Sequence, residues 1–505
     1  MAVLGPLSGV DAVLPASPAG EAAARLLACL GADVTLAGAD SEASISAGGS
    51  TRRGWPWTGN GGSAELALAA ACGALDLTGE PDRAPIWPPA PVCGRLLGLA
   101  MAFTLLAELL PGAGQPSQSP TPTFDTVRWL TYLLGNARSH WETGAIPHRR
   151  GPRSATMAEG SPYPDTLLPC ADGHVHAHYA PSDPALLAAL LEGEAPQSPL
   201  ATEADAIDQR LRGWLVGRTR LEAATRAQEL RHPFVPVATM AELRATYAHG
   251  LPPPVTFLDL GIGDTRAASA GPLPLTGLRV LELGVAVADP MAAELLATLG
   301  ATVTRLAHPV GATPGWYDRN KWTVVADLNT EAGRASLREL LAQSDVFLTN
   351  LSARSQQNLG LPEAVAASSP GLVSVAITAF PPGDARHWWS AFDAGMQAAV
   401  GLADATRYPG GGPLRVAGHP IDGATALIAA CTALAGLWGR RNTGLGCNAQ
   451  VSMLGSGLLL MAPAIAAPRE SRPEGHAADP APAAAPSSAR SDLTQRAKEW
   501  NWLPF

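Results

Sequence analysis

Residues 413–446, PLRVAGHPIDGATALIAACTALAGLWGRRNTGLG, decide how this chain is read. Residues 414–421 form an extended segment that leads into Asp422 and Gly423. From about Ala424 to Trp438 the run is small and apolar, with Arg440 and Arg441 at its end and Gly444 beyond, which predicts a helix. An Asp at a helix start is a preferred N-cap, because its carboxylate accepts the unpaired amides of the first turn. Asp422 is therefore expected to cap this helix where a strand hands over to it. Helix-start amides near Gly423 and Ala424 are also placed to hold a developing oxyanion.

Working outward, 505 residues suffice for two or three domains with their own cores. The 47% apolar and 16% charged composition suits a globular protein, and a net charge of −9 without a basic arm argues against nucleic acid as a partner. Cys29, Cys72, Cys93, Cys170, Cys431 and Cys447 contain no Cys-x-x-Cys pair, so neither a zinc ribbon nor a disulfide framework is indicated. The N-terminus lacks the basic start of a signal peptide. No uninterrupted apolar run is expected to span a membrane, and the protein is expected to be cytoplasmic.

The chain repeats itself. Residues 5–36, GPLSGVDAVLPASPAGEAAARLLACLGADVTL, and 271–306, GPLPLTGLRVLELGVAVADPMAAELLATLGATVTRL, each read as strand, loop, amphipathic helix and second strand. This is the β-α-β opening of a doubly wound sheet. In the second copy Asp289 and Pro290 fit N-cap and N1. Residues 63–110 then share a layout with 392–439, so that Glu65 faces Asp393 and Cys93 occupies the place of Asp422. Such pairing implies a duplication in which one copy kept the carboxylate. Residues 307–391 add strands, helices and turns that the earlier half compresses to 37–62. Residues 468–490 are too rich in Pro and Ala to bury a core.

The run around Asp422 resembles the signature of the class III CoA-transferases, the family of formyl-CoA and carnitine CoA-transferases and the 2-methylacyl-CoA racemases. There an extended segment leads to an Asp, a small-residue helix, a basic residue and Thr-Gly-x-Gly. RNKWTVVADLN (319–329), SDVFLTNLSARS (344–355) and GLVSVAITAFPPG (371–383) resemble the family's turns that line coenzyme A. GSPYPDTLLPCADGHVHAHYA (160–180) resembles the start of its smaller domain. The resemblance implies an α/β protein: two unequal, doubly wound Rossmann-like large domains with one smaller α+β domain, an intramolecular pseudo-dimer. Residues 1–150 would be a degenerate first large domain and 151–265 the smaller domain and return linker. The CoA-binding large domain would be 271–465, with a tail over 466–505. One pocket per chain would survive, roofed by residues 150–180, and a homodimer is a further arrangement the resemblance allows.

By the same resemblance Asp422 is the nucleophile of an acyl-CoA:carboxylate CoA-transferase. Val287, Ala288, His308, Asn320, Lys321, Asn350, Leu351, Arg354 and Phe380 are the coenzyme A contacts. The partners are an acyl-CoA and a free carboxylic acid, with no prosthetic group and no metal. Two other functions compete. A non-catalytic CoA binder or scaffold is favoured by departures at Asp289, Trp322, Leu351 and His308-Pro309. A racemase needs the His of Gly-His-Asp, which aligns here to Ala391-Phe392-Asp393; His387 and His419 are the substitutes, with Trp388 and Trp389 as walls of an acyl pocket. His174, His176 and His178 alternate on a predicted strand and share a face, but no acid or Cys is spaced to complete a metal site. Gly261-Ile262-Gly263 lacks the third Gly of a dinucleotide fingerprint.

Overall fold

The computed structural model describes residues 6–38, 41–47, 50–56, 62–110, 125–135, 149–153, 165–178, 184–191, 204–260, 273–310, 315–467 and 476–477. The Gly261-Ile262-Gly263 motif and most of the tail lie outside them. The main sheet has seven strands. Arg279–Leu283 is flanked on one side by Thr302–Ala307 and then Lys321–Val325. On the other side follow Val346–Thr349, Val373–Thr378 and Cys447–Ser452, all parallel. Val255–Leu260 closes that edge antiparallel. The inner strands are buried on both faces, as their near-continuous apolar runs require. Strand order reverses between Arg279–Leu283 and Val346–Thr349, so the crevice of such a sheet opens at the carboxyl ends of these two strands.

The earlier half builds a smaller sheet. Val10–Pro15 pairs in parallel with Asp33–Ala37, on opposite sides of the helix Pro18–Cys29 in sequence, as the β-α-β reading expects. Its other neighbour is Glu42–Ala47, which runs antiparallel and turns back into Ser50–Pro56. That hairpin stands where the large sheet has the parallel strand leading to Asn350.

Two long helices form the centre, Val92–Leu109 and Pro420–Thr443. Both are apolar on nearly every face because both are buried on nearly every face. The expectation that no segment reaches membrane length is corrected here: these two are long and apolar enough, and they lie almost wholly inside the protein. An all-round apolar helix belongs either in lipid or in a core. Val92–Leu109 packs so closely on Pro18–Cys29 that a Cβ on Gly98 would collide with the Ala19 carbonyl. One continuous core joins the halves, from Leu14 and Phe103 through Trp129 and Leu133 to Leu427 and Leu459.

The small sheet comprises Asp165–Cys170, Gly173–His178 and Val235–Pro236. Helices Ala204–Leu215 and Arg220–Glu229 pack beside it, the latter started by a Thr219/Glu222 capping box.

The later long helix is pinned at its C-terminal end. Arg440 donates to the Asp345 carboxylate (3.1 Å) and the Gly371 carbonyl (3.0 Å), while Asp345 also accepts the Arg279 amide (2.9 Å). Asp345 and Gly371 precede parallel strands, so this end lies at the amino edge of the sheet. The helix start therefore reaches the carboxyl edge, about 36 Å away at 1.5 Å per residue over 24 residues. Asp345→Ala would leave the buried Arg440 guanidinium without its counter-charge. It is expected to lower unfolding free energy by about 3–5 kcal/mol in urea titration. The double variant Asp345→Leu/Arg440→Met is expected to recover most of the loss.

Candidate active site

The helix that carries Asp422 begins earlier than the sequence suggests. It spans Pro420–Thr443, with His419 at the N-cap, Pro420 at N1 and Asp422 in the first turn. The segment before it makes no strand ladder and bends at 417–418, with Gly418 at φ 82°. Asp422 is thus not the cap. The cap comes from another helix: Asp393, first residue of Asp393–Ala399, accepts the amides of Ile421 (2.7 Å) and Asp422 (3.0 Å) through one oxygen, Oδ2. Its Oδ1 accepts from Gln397 Nε2 (2.7 Å). Gln397 in turn holds Val416 by both its backbone groups, at 3.0 and 2.9 Å. Burial lifts the Asp393 carboxyl to about 6, against the pull of Gln397, the two amides and Arg415.

The earlier half repeats this cap with another residue type. Glu65 accepts the amides of Cys93 (2.7 Å) and Gly94 (3.0 Å) at the start of Val92–Leu109, and the Trp87 indole at 3.1 Å. Cys93 stands there without exposure, its thiol pushed up chiefly by burial.

The oxyanion site expected at Gly423 is occupied. The Ile421 and Asp422 amides go to Asp393, and the Gly423 amide donates to the His419 carbonyl (2.9 Å). Asp422 itself is 7% exposed, with Oδ2 4.0 Å from His419 Nδ1. Asp393, His419 and Asp422 offer ligand atoms within 4.8 Å of one another. Asp393 offers its oxygens there while they also accept from Gln397 and the two helix amides.

Elements of the earlier half close over this point. Leu134, last residue of the helix Thr126–Leu134, accepts the His419 amide (2.8 Å). Asp165 accepts from Arg415 (2.6 Å) and bonds the His176 ring (2.7 Å). Burial alone would raise the Asp165 carboxyl, but Arg415, His176 and His178 outweigh it and hold the group well below the usual carboxylate range. Two of the three strand histidines thus share Asp165, His176 at 2.7 Å and His178 at 3.9 Å. His176 is buried on Asp165, and His178 lies 4.8 Å from the Phe392 ring. His174 is half-buried and disfavoured as a cation, by burial first and by Arg407 next. Of the expected roof, 150–153 and 165–178 are described, and 154–164 and 179–180 lie outside the described residues.

The other sequence candidates divide by edge. Asn350 bridges the switch point, donating to the Val285 carbonyl (2.7 Å) and accepting its amide (2.8 Å). This braces the loop in which Ala286 takes φ 64° and from which Val287 and the buried Ala288 start Ala288–Thr298. Leu351 follows Asn350, with Arg354 exposed one turn on. Phe380, beyond Val373–Thr378, is buried against Trp389 (6.1 Å), and the Arg386 guanidinium lies 4.4 Å over its ring. Trp388 is partly open at 41% exposure. His308 also follows its strand at the carboxyl edge, exposed beside Asp327 (3.4 Å).

Asn320 and Lys321 stand apart, where the chain enters its strand toward the amino edge. Asn320 adopts φ 59°, a conformation Asn tolerates. Lys321 is buried, with Nζ 2.6 Å from Glu282 and 2.8 Å from the Pro290 carbonyl, so its charge is spent inside the fold. Asp289 is not an N-cap. It lies wholly buried in the first turn of Ala288–Thr298, under Gly284, and neither carboxylate oxygen has a hydrogen-bond partner. Burial, with Glu282 adding and Lys321 opposing, pushes its carboxyl well above the ordinary range. His387, the substitute for the missing His, is exposed with Nδ1 3.0 Å from the Asp384 carbonyl.

A sequence model of the family described as CoA-transferase family III matches residues 43–250 and 275–493. The chain belongs to that family. It is 29% identical over 193 residues to the succinyl-CoA–L-malate CoA-transferase alpha subunit of Chloroflexus aurantiacus, covering 34% of this chain and 45% of that one. It is 30% identical over 195 residues to the formyl-CoA:oxalate CoA-transferase of Streptomyces avermitilis, covering 35% and 47%. A crystal structure of a CAIB/BAIF family protein from Brucella suis is 27% identical, with a TM-score of 0.36 over 38% of this chain and 56% of that one. The chain spans about half the length of the curated relatives it matches.

In this family III chain the cap gives a pH test. Asp393 keeps its proton up to about 6 when folded, against about 3.9 in an unfolded chain. The folded state then binds more protons between those values, so this group's contribution to stability falls as pH rises from about 4 to about 6. Asp393→Asn keeps an acceptor for the helix amides and is expected to flatten that slope in urea titrations across the window. Asp393→Ala strands two buried amides and is expected to cost about 1–3 kcal/mol or more at every pH.

Proposed function

We propose that this chain is an acyl-CoA:carboxylate CoA-transferase whose nucleophile is Asp422. One observation carries the reading: Asp422 sits in a helix start at the carboxyl edge of the parallel sheet, its amide gripped by a second carboxylate, in a family III chain. Relatives named for succinyl-CoA with malate and for formyl-CoA with oxalate support an acyl-CoA and a free carboxylic acid as substrates, with no prosthetic group.

Exchange of one thioester for another is nearly thermoneutral, so it needs a carrier for the acyl group and no external energy source. Asp422 attacks the donor thioester, giving a mixed anhydride and CoA thiolate. The thiolate then attacks the Asp422 acyl carbon, releasing the donor acid and leaving an aspartyl-CoA thioester. The acceptor carboxylate displaces CoA to form a second anhydride. CoA takes the acceptor acyl group and Asp422 is restored. The Asp393 bond to the Asp422 amide fixes the first turn, so the nucleophile meets each acyl carbon from one position.

The halves are read as unequal copies of one large domain, a pseudo-dimer within the chain. Equivalent caps by Glu65 and Asp393 support this. Coenzyme A would follow the switch-point turns at Val287, Ala288, Asn350, Leu351 and Arg354 and approach Phe380, under the smaller domain. A racemase is disfavoured by Phe392 at the His position and by the outward placement of His387. A CoA binder without chemistry is the second reading; the burial of Lys321, one phosphate contact fewer, favours it.

Incubation with a panel of acyl-CoAs and hydroxylamine separates the two. The transferase reading expects a hydroxamate at Asp422 by peptide mass spectrometry and loss of turnover by at least about 1,000-fold in Asp422→Ala. Cys93→Ala is expected to keep full turnover. Bound CoA without a hydroxamate from any acyl-CoA would favour the binder.

A further inference from the structure

We propose that His419 is a catalytic donor of this site, giving a ring N–H to the negative charge that develops beside Asp422; the inference rests on the transferase reading above. Three observations lead to it. The amide route is closed, because the Ile421 and Asp422 amides are bound by Asp393 and the Gly423 amide by the His419 carbonyl. With these first-turn amides taken, the described residues offer a side-chain donor here, His419, whose Nδ1 lies 4.0 Å from Asp422 Oδ2 in one cluster with Asp393.

The ring is also held from the earlier half. Leu134 takes the His419 amide (2.8 Å), and a Cβ on Gly135 would come within 3.2 Å of His419 Cδ2. The side chain remains 21% exposed, so a bound substrate can reach it. Finally, His419 stands at the N-cap position without a side-chain cap bond.

The chemistry suits a donor that keeps its proton. As the Asp422 oxygen bonds to the thioester carbon, the carbonyl electron pair moves to oxygen and the His419 N–H receives it. When the C–S bond breaks, that pair returns to the carbonyl and the C–S pair leaves on sulfur as thiolate. No proton is gained or lost. The same N–H faces the oxyanion in each later displacement, where Asp393 would otherwise add only repulsion.

The test uses the full chain, a panel of acyl-CoAs with hydroxylamine, and the rate of hydroxamate formation at Asp422, with acyl-CoA dissociation constants measured separately. His419→Ala is expected to slow trapping by about 100-fold while leaving acyl-CoA affinity within about threefold. His419→Gln, which restores an N–H donor, is expected to regain about tenfold of the lost rate. Circular dichroism identifies any variant that has lost the fold, and the Gln variant then decides. Trapping in wild type and both variants at equal rates overturns the role of His419 and leaves the transferase reading standing. No trapping in wild type overturns that reading and the proposal with it.

Discussion

The buried Asp393 carboxylate is the contact on which the site depends. One of its oxygens accepts two first-turn amides of Pro420–Thr443, and so fixes where that helix starts and which way Asp422 is presented. A helix start leaves its first four amides unpaired, and a start this deep in the protein cannot leave them to water. The other end is fixed as firmly, by Arg440 on Asp345 and Gly371. Between these anchors the helix is free to be almost entirely apolar, because its polar needs are met at its ends. The same logic explains the earlier long helix, where Glu65 does the capping and Cys93 stands in the fully buried position. Each half has such a cap, and Asp422 in the later helix stands at the position Cys93 has in the earlier one.

Contacts between halves converge on the same few residues. Leu134 holds the His419 amide, and Asp165 holds Arg415 and His176. Gln397 links Asp393 to Val416. The segment before Asp422 is thus gripped from both sides, which substitutes for the strand ladder it lacks. Preorganisation of this kind would serve the nucleophile role proposed for Asp422, which would then need no reorganisation during the reaction.

Much of this was legible in the sequence. The β-α-β opening of each half and the strands leading to Asn350 and Phe380 follow from periodicity, and Glu65 and Asp393, which align in the sequence, each cap a long helix. The cap at Asp422 was misread for a physical reason: an Asp at N-cap and an Asp two or three residues inside look alike in sequence, and here the capping group comes from 29 residues away. Asp289 misled in the same way, since the helix had already begun at Ala288 and its carboxylate was turned into the core. Long-range pairing also hid the fate of Lys321, whose partner Glu282 lies on another strand. Apolar run length could not separate core helices from membrane helices, because both are surrounded by apolar atoms.

If Asp422 carries the acyl group as an anhydride, its own carboxylate must exchange oxygen with the acceptor acid. Supplying the acceptor with heavy oxygen in its carboxylate, together with an acyl-CoA that turns over, tests this directly. The peptide containing Asp422 is expected to gain heavy oxygen in the wild-type protein, one atom after a single turnover and up to two after many. Turnover with no label on Asp422 would contradict the account.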